Sequence, residues 1–337
     1  LACESIAILP EGMSRERFEW LSKVAGEVIA TPGTESNVKE IFDKCWELRR
    51  SGQDLVIFNQ FDEFGNHLWH YDITGHAMEE VLEKELRPGE RLAGSVFTTG
   101  SAGTIGTGDY LKKLFPESKV AASEALQCPT LLQNGFGAHR IEGIGDKHVP
   151  WIHNVKNTDM VMAIDDETPM QMIRLFTQPE GRKYLVEQGV PEALVEQLHL
   201  VGISGAANIA SAIKMAKWYE WGEGDVIVTV LTDSMELYCS RLDELTEERG
   251  EFTARDAAAA YHQHILGLST DYVEELTYPA RKRVHNLKYY TWVEQQGKTY
   301  EEIQAQWYQK DYWTSIHGQV DEIDALIEEF NAKVGLL

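Results

Sequence analysis

The chain has 337 residues, 43% of them hydrophobic and 25% charged, enough for a substantial buried core and two lobes. Its 54 acidic against 31 basic residues leave a net charge of -23, which repels nucleic acid and anionic membrane surfaces and excludes them as general partners. Cys3, Cys45, Cys128 and Cys239 are scattered with no C-x-x-C pair, so reduced thiols in a cytoplasmic protein are expected. The longest apolar runs are too short to cross a bilayer, and no signal peptide is visible.

In chain order, strands are expected at Ser5–Leu9, Glu27–Ala30, Leu55–Phe58, Leu92–Thr98, Val120–Ser123, Met160–Ile164 and Val226–Leu231. Amphipathic helices lie between them: Val38, Ile41, Phe42, Cys45 and Leu48 share one face, as do Ile209, Ala212, Ile213 and Ala216. This alternation predicts an α/β architecture with a largely parallel sheet. A chain whose first strand starts at Ser5 reads as one that begins in mid-fold. From about Glu244 the chain turns helical and polar and carries many aromatics, among them Tyr278, Tyr289, Tyr290, Trp292, Trp307, Tyr308, Tyr312 and Trp313. Such a tail is expected to pack on the body or on a second subunit.

Ligands of open α/β sheets gather beyond the carboxyl ends of the strands, and two such ends carry chemistry. After Leu92–Thr98 comes Gly100-Ser101-Ala102-Gly103-Thr104 and then a helix. Small residues let the backbone approach an anion closely, and a helix N-terminus adds donors, so a phosphate suits this loop as well as a plain tight turn does. Gly106-Thr107-Gly108 followed by Glu124 is a weaker match to a dinucleotide fingerprint, because the third glycine is replaced by Leu111. The second strand end is Thr232-Asp233-Ser234-Met235-Glu236, which offers a hydroxyl and two carboxylates, or else only a helix cap. His67, His70 and His76, and His139, His148 and His153, lack metal-site spacing and read as structural histidines, so no metal is expected. Asp165-Asp166-Glu167 reads as a solvated helix start.

Taken together, ILPEGMSRERFEWLSKVAGEVIATPG (Ile8–Gly33), FNQFDEFGNHLWHYDITG (Phe58–Gly75), GSAGT (Gly100–Thr104), HRIEGIG (His139–Gly145), GISGAAN (Gly202–Asn208) and TDSMELY (Thr232–Tyr238) resemble, in order and spacing, the fold type II pyridoxal-phosphate (PLP) enzymes of the cysteine synthase-like group. The resemblance covers about Ile6 to Leu242. It implies a tryptophan synthase beta-like fold, with a partial small α/β lobe at 1–65, a large PLP-binding domain at 66–244 and a helical extension at 245–337. It also implies that Gly100, Ser101, Ala102, Gly103 and Thr104 cradle the cofactor phosphate and that Gly202 lines the ring. Ser234 would bond the pyridine nitrogen, Gln60 would hold the substrate carboxylate, and Gly143–Gly145 would sit at the mouth. The loop departs from the group's GTGGT by Ser-Ala in place of Thr-Gly, and WIHNVKN (Trp151–Asn157) replaces a less polar segment.

In the group, the Schiff-base lysine precedes the stretch matched by Ile8–Gly33. The resemblance therefore puts it upstream of Leu1, not at Lys147 or Lys156, and implies that this stretch alone is inactive. The expected whole is a homodimeric lyase or β-replacement enzyme for a small amino acid, of cysteine synthase or cysteine desulfhydrase type. Alternatives are a thiolase subunit acting on an amino-keto acid, a serine/threonine dehydratase, and a non-catalytic binding subunit.

Overall fold

A computed structural model describes residues 4–336 of the chain. Residues 4–50 form a small parallel pair, β1 (Ile6–Pro10) against β2 (Glu27–Thr31), with the helix Arg15–Val24 between them and the helix Val38–Arg50 after them. The pair is only partly buried, and Leu9, Thr31, Val38 and Phe42 anchor it. A parallel pair needs a crossover, and Arg15–Val24 supplies it.

The main sheet has five strands in the order β6-β3-β4-β5-β7: β3 (Arg91–Thr98), β4 (Lys119–Ala125), β5 (Met160–Ile164), β6 (Asp225–Thr229) and β7 (Val273–Glu275). All neighbours run parallel except β5 and β7, which are antiparallel. Expected strands Leu92–Thr98 and Val226–Leu231 are adjacent, with Leu92 opposite Val226. Strands covered on both faces read as continuous apolar runs, and every residue of MVMAI in β5 is buried. The helix Ile203–Trp218 packs over the sheet, its small residues Ala206, Ala207 and Ala210 letting it approach closely.

Two strand expectations need correction. Leu55–Phe58 is extended but unpaired, with Val56 and Phe58 exposed, because β-rich composition makes a strand only where a partner strand is at hand. Conversely, VEE at Val273–Glu275 is too short and polar to stand out, and it becomes a strand because β5 has a free edge.

The aromatic tail divides by chemistry. Trp292, Trp307 and Trp313 are buried, and the Trp292 indole donates to the Val149 carbonyl at 2.8 Å. Tyr278, Tyr290, Tyr300 and Tyr308 are exposed, and the Tyr278 hydroxyl accepts the Trp307 indole N–H at 3.1 Å. At their centre Lys288 is fully buried, its ammonium donating to the carbonyls of Trp151 and His153, at 2.8 Å each, and to Gln306 Oε1 at 2.7 Å. The last helix, Val320–Val334, buries no residue.

Candidate functional site

A cleft of about 500 Å³ opens at the carboxyl edge of β3 and β6, lined there by Thr98, the loop Gly100–Thr104, Thr232 and Asp233. From the other side come Arg17 and Trp20 of the first helix, His70, and Glu142–Ile144. This is where a parallel sheet leaves its loops free to meet a ligand.

The loop Gly100–Thr104 runs straight into the helix Ile105–Leu114. Its helical ladder starts only at the Ile105 amide, which donates to the Ala102 carbonyl at 3.2 Å, so the amides ahead of it stand outside the ladder. Two of the glycines let neighbours approach closely, Gly100 a backbone carbonyl and Gly103 the Asn66 side chain. A β-carbon on Gly100 would fall 2.5 Å from the Gly143 carbonyl oxygen, and one on Gly103 would fall 2.2 Å from Asn66 Oδ1. Asn66 fixes the loop from below, donating to Ser101 Oγ at 3.0 Å and to the Gln60 carbonyl at 2.9 Å. Close backbone approach, free amides and the positive end of a helix dipole fit a phosphate group.

Opposite the loop, Asn208 accepts the Thr98 amide at 2.8 Å and donates to the Val230 carbonyl at 2.8 Å, holding the ends of β3 and β6 together. Ser204 and Thr232 share a hydroxyl hydrogen bond of 2.9 Å. The Gly202 amide donates to the Asp233 carbonyl at 3.0 Å, and a β-carbon there would meet Asp233 Oδ1 at 2.1 Å, so a larger residue at 202 would displace the Asp233 carboxylate. Ser234 is half-buried at the start of the turn Met235–Leu237 and makes no capping bond; its neighbours Thr232 and Asp233 line the cleft. Gln60 is exposed at the outer side of the Asn66 contact and outside the lining.

The mouth is charged. Arg17 donates to the Tyr238 hydroxyl at 2.9 Å and lies 3.5 Å from Asp233 and 3.6 Å from Glu142. Burial pushes the Asp233 carboxyl up, against the pull of Tyr238 and Arg17. Gly143 donates its amide to Glu35 at 3.1 Å, and Gly145 donates to the Thr99 carbonyl at 3.0 Å, which ties this loop to the end of β3. Burial pushes Glu35 up to about 7. No lysine lines the cleft among the described residues; Lys147 lies over the Phe136 ring, 3.9 Å from Glu40.

Of the residues singled out in the sequence, the cleft brings together Gly100–Thr104, Gly143, Ile144, Thr232 and Asp233, with His70, which the sequence suggested only as a structural histidine; Gly202, Ser234 and Gln60 are outside its lining. Arg17 and Trp20 carry no local pattern of their own, and Ser204 and Asn208 could be suspected only as members of GISGAAN. The dinucleotide reading fails on geometry. Gly106 and Gly108 lie inside the helix, where they admit the His67 carbonyl and Val120, and Glu124 is spent on the Leu131 and Leu132 amides at 2.9 Å each. Most histidines are tied locally: His139 to the Gly145 carbonyl, His148 to Asp146 and His153 to Thr158.

No family model matches the chain. A cysteine synthase of Staphylococcus aureus is 29% identical over 238 residues, 70% of this chain and 68% of that protein. A probable cysteine synthase of Bacillus subtilis is 30% identical over 238 residues, 70% of this chain and 69% of that protein. Among solved structures, a hydrogen sulfide-producing enzyme of Fusobacterium nucleatum superposes with a TM-score of 0.58 at 25% identity, over 70% of this chain and 71% of that one. An O-acetylserine-dependent cystathionine beta-synthase of Helicobacter pylori does so with a TM-score of 0.55 at 27% identity, over 70% of this chain and 69% of that one. With the glycine-rich loop at the sheet's carboxyl edge and these relatives, the chain belongs to the cysteine synthase-like family of fold type II pyridoxal-phosphate enzymes.

Proposed function

We propose that this chain forms the cofactor- and substrate-positioning body of a PLP-dependent lyase or β-replacement enzyme acting on a small amino acid, in a cytoplasmic homodimer. The observation that carries the reading is the loop Gly100–Thr104, closed against Asn66 and Gly143 at the head of a helix on the sheet's carboxyl edge. Bound PLP supplies an electron sink, so that a proton can leave the substrate α-carbon and a β-substituent can follow. The chain's own residues position and exclude water. Gly100, Ser101, Ala102, Gly103 and Thr104 hold the phosphate, and Gly202 leaves room beside the ring. Ser234 offers a neutral hydroxyl to the pyridine nitrogen, and Gln60 receives the substrate carboxylate once the mouth closes over it. Arg17 and Glu142 bind the first helix to the body across the mouth.

The test is phosphate-dependent retention. The purified chain is dialysed against PLP and against pyridoxal, and bound cofactor is read by absorbance. Retention of PLP but not pyridoxal is expected, with loss of retention in Gly103→Val and unchanged circular dichroism. Equal retention of both compounds would remove the phosphate loop from the argument.

A further inference from the structure

Three polar side chains from distant parts of the chain meet behind the helix that carries the anion loop. Asp109 lies on Ile105–Leu114, His67 on the helix Phe64–Trp69, and His317 ends the helix Tyr312–His317. The two Nε2 atoms are 3.0 Å apart, and Asp109 Oδ2 is 3.6 Å from His67 Nε2 and 3.4 Å from His317 Nε2. A triangle of those edges has its centre about 2 Å from each atom, the usual length of a zinc–nitrogen or zinc–oxygen bond. Two imidazoles and a carboxylate are a ligand set for zinc and its neighbours, not for calcium or magnesium.

The surroundings favour a cation. The Asp109 side chain is 2% exposed and that of His67 is 0% exposed. Both groups are shielded from water, and a carboxylate held there calls for a counter-charge. Asn154 donates to Asp109 Oδ2 at 2.7 Å and Asn157 to Oδ1 at 2.5 Å, the outer contacts that orient a ligating carboxylate. No protein group bonds His67 Nδ1, so its tautomer is free to leave the lone pair on Nε2. The ring planes lie within 7° at a centroid separation of 5.2 Å, so the two nitrogens face each other as in an N–H···N pair. Ion binding therefore requires one ring to turn. His317 is the freer of the two, with its side chain 16% exposed, although turning would give up its stacking on Tyr71 at 4.0 Å.

We propose that His67, Asp109 and His317 bind a divalent ion of the zinc class, which pins the C-terminal segment to the helix bearing the anion loop. Asn66, next to His67, is the residue that holds Ser101, so the ion would stiffen the loop from one residue away.

The chain is stripped with a chelator and titrated with zinc chloride, and separately with cobalt chloride, without any PLP. One zinc per chain is expected, with Kd tighter than about 10 μM. The cobalt complex should show visible d–d absorption, and the melting temperature should rise on adding either ion. His317→Ala, at the part-exposed corner, should keep the fold by circular dichroism and lose affinity at least roughly tenfold; His317→Gln is the second variant should alanine misfold. Failure of the unmodified chain to take up zinc, or equal zinc affinity in both variants, would overturn the site and leave a hydrogen-bonded histidine pair. Because no PLP is present, neither result depends on the cofactor reading.

Discussion

Ala102 shows at the scale of one residue how the loop Gly100–Thr104, proposed to hold the phosphate, is built under strain. Its φ is 61°, in the left-handed region where a β-carbon costs roughly 1 kcal/mol. It also occupies one of the two positions at which GSAGT departs from the group's GTGGT. Ala102→Gly is expected to raise the unfolding free energy, or leave it unchanged, by up to about 1 kcal/mol in urea titration, without weakening PLP retention. A loss of more than that would mean the methyl group packs productively. Buried titratable residues set a pH profile in the same way. Burial holds His67 at about 4 and His153 and His285 at about 3, so these rings are neutral when folded. Below about pH 6.5 the unfolded chain takes protons that the fold refuses, and stability falls by roughly 1.4 kcal/mol per pH unit for each group. Burial raises Glu124 to about 8 and Glu35 to about 7, so the fold keeps protons there that the unfolded chain releases above about pH 4.5. Those two contributions fall as pH rises toward 7 and 8. Three histidines outweigh two carboxyls on the acid side; on the alkaline side the decline set by the two carboxyls is opposed by the buried Lys288, whose amine burial pushes down, and the carboxyls outweigh it up to about pH 7. The melting temperature should therefore peak near pH 6.5, and Glu124→Gln should flatten the alkaline decline. A melting temperature that climbs steadily to pH 8.5 would contradict this balance.

At the scale of elements, the helix Tyr278–Lys288 is held by one buried cation. Burial pushes the Lys288 amine well below its ordinary range, and three acceptors satisfy its three protons. Lys288→Met fills similar volume but strands the carbonyls of Trp151 and His153 and the Gln306 side chain. The expected cost is about 3 kcal/mol or more in urea unfolding, read also as increased Trp292 exposure in fluorescence. A loss below about 1 kcal/mol would show that water replaces the ammonium at no net cost. The anion-loop helix illustrates the opposite economy, since Gly106 and Gly108 lower its intrinsic propensity yet let His67 and Val120 approach.

For the whole molecule, the residues after Glu244 are structural and not an appendage. They supply β7 to the main sheet, Phe252, Ala257, Ala260 and Leu268 to the largest core, and Trp292 and Ile303 to the core beneath Val38 and Phe42. Truncation after Glu244 should therefore give a chain that aggregates or binds hydrophobic dye strongly, whatever its oligomeric state. A soluble, cooperatively unfolding product would refute that. The helix Val320–Val334 is the exception, with Leu326, Ile327, Phe330 and Val334 exposed. Removing it alone should leave the melting temperature nearly unchanged, and any drop in apparent mass by sedimentation would assign it to subunit contact.

The local pattern of the chain determined its strand and helix alternation, because burying a sheet on both faces demands continuous apolar runs such as MVMAI and an anion loop demands small residues. Ordered motifs such as GSAGT and GISGAAN carried the family and the PLP chemistry, since each is a backbone geometry that few residues satisfy. Pairing could not be read locally. Leu55–Phe58 has strand composition but no neighbour, and VEE at Val273–Glu275 has a neighbour but no strand composition. Nor could the convergence of side chains from remote segments: Arg17 meets Tyr238, and His67 meets His317, across gaps of 221 and 250 residues. Spacing rules see only ligands and charges that share an element. The charged mouth and the histidine–aspartate cluster exist because the first helix packs on the turn Met235–Leu237 and the helix Tyr312–His317 on the helix Phe64–Trp69, and only the tertiary structure decides that.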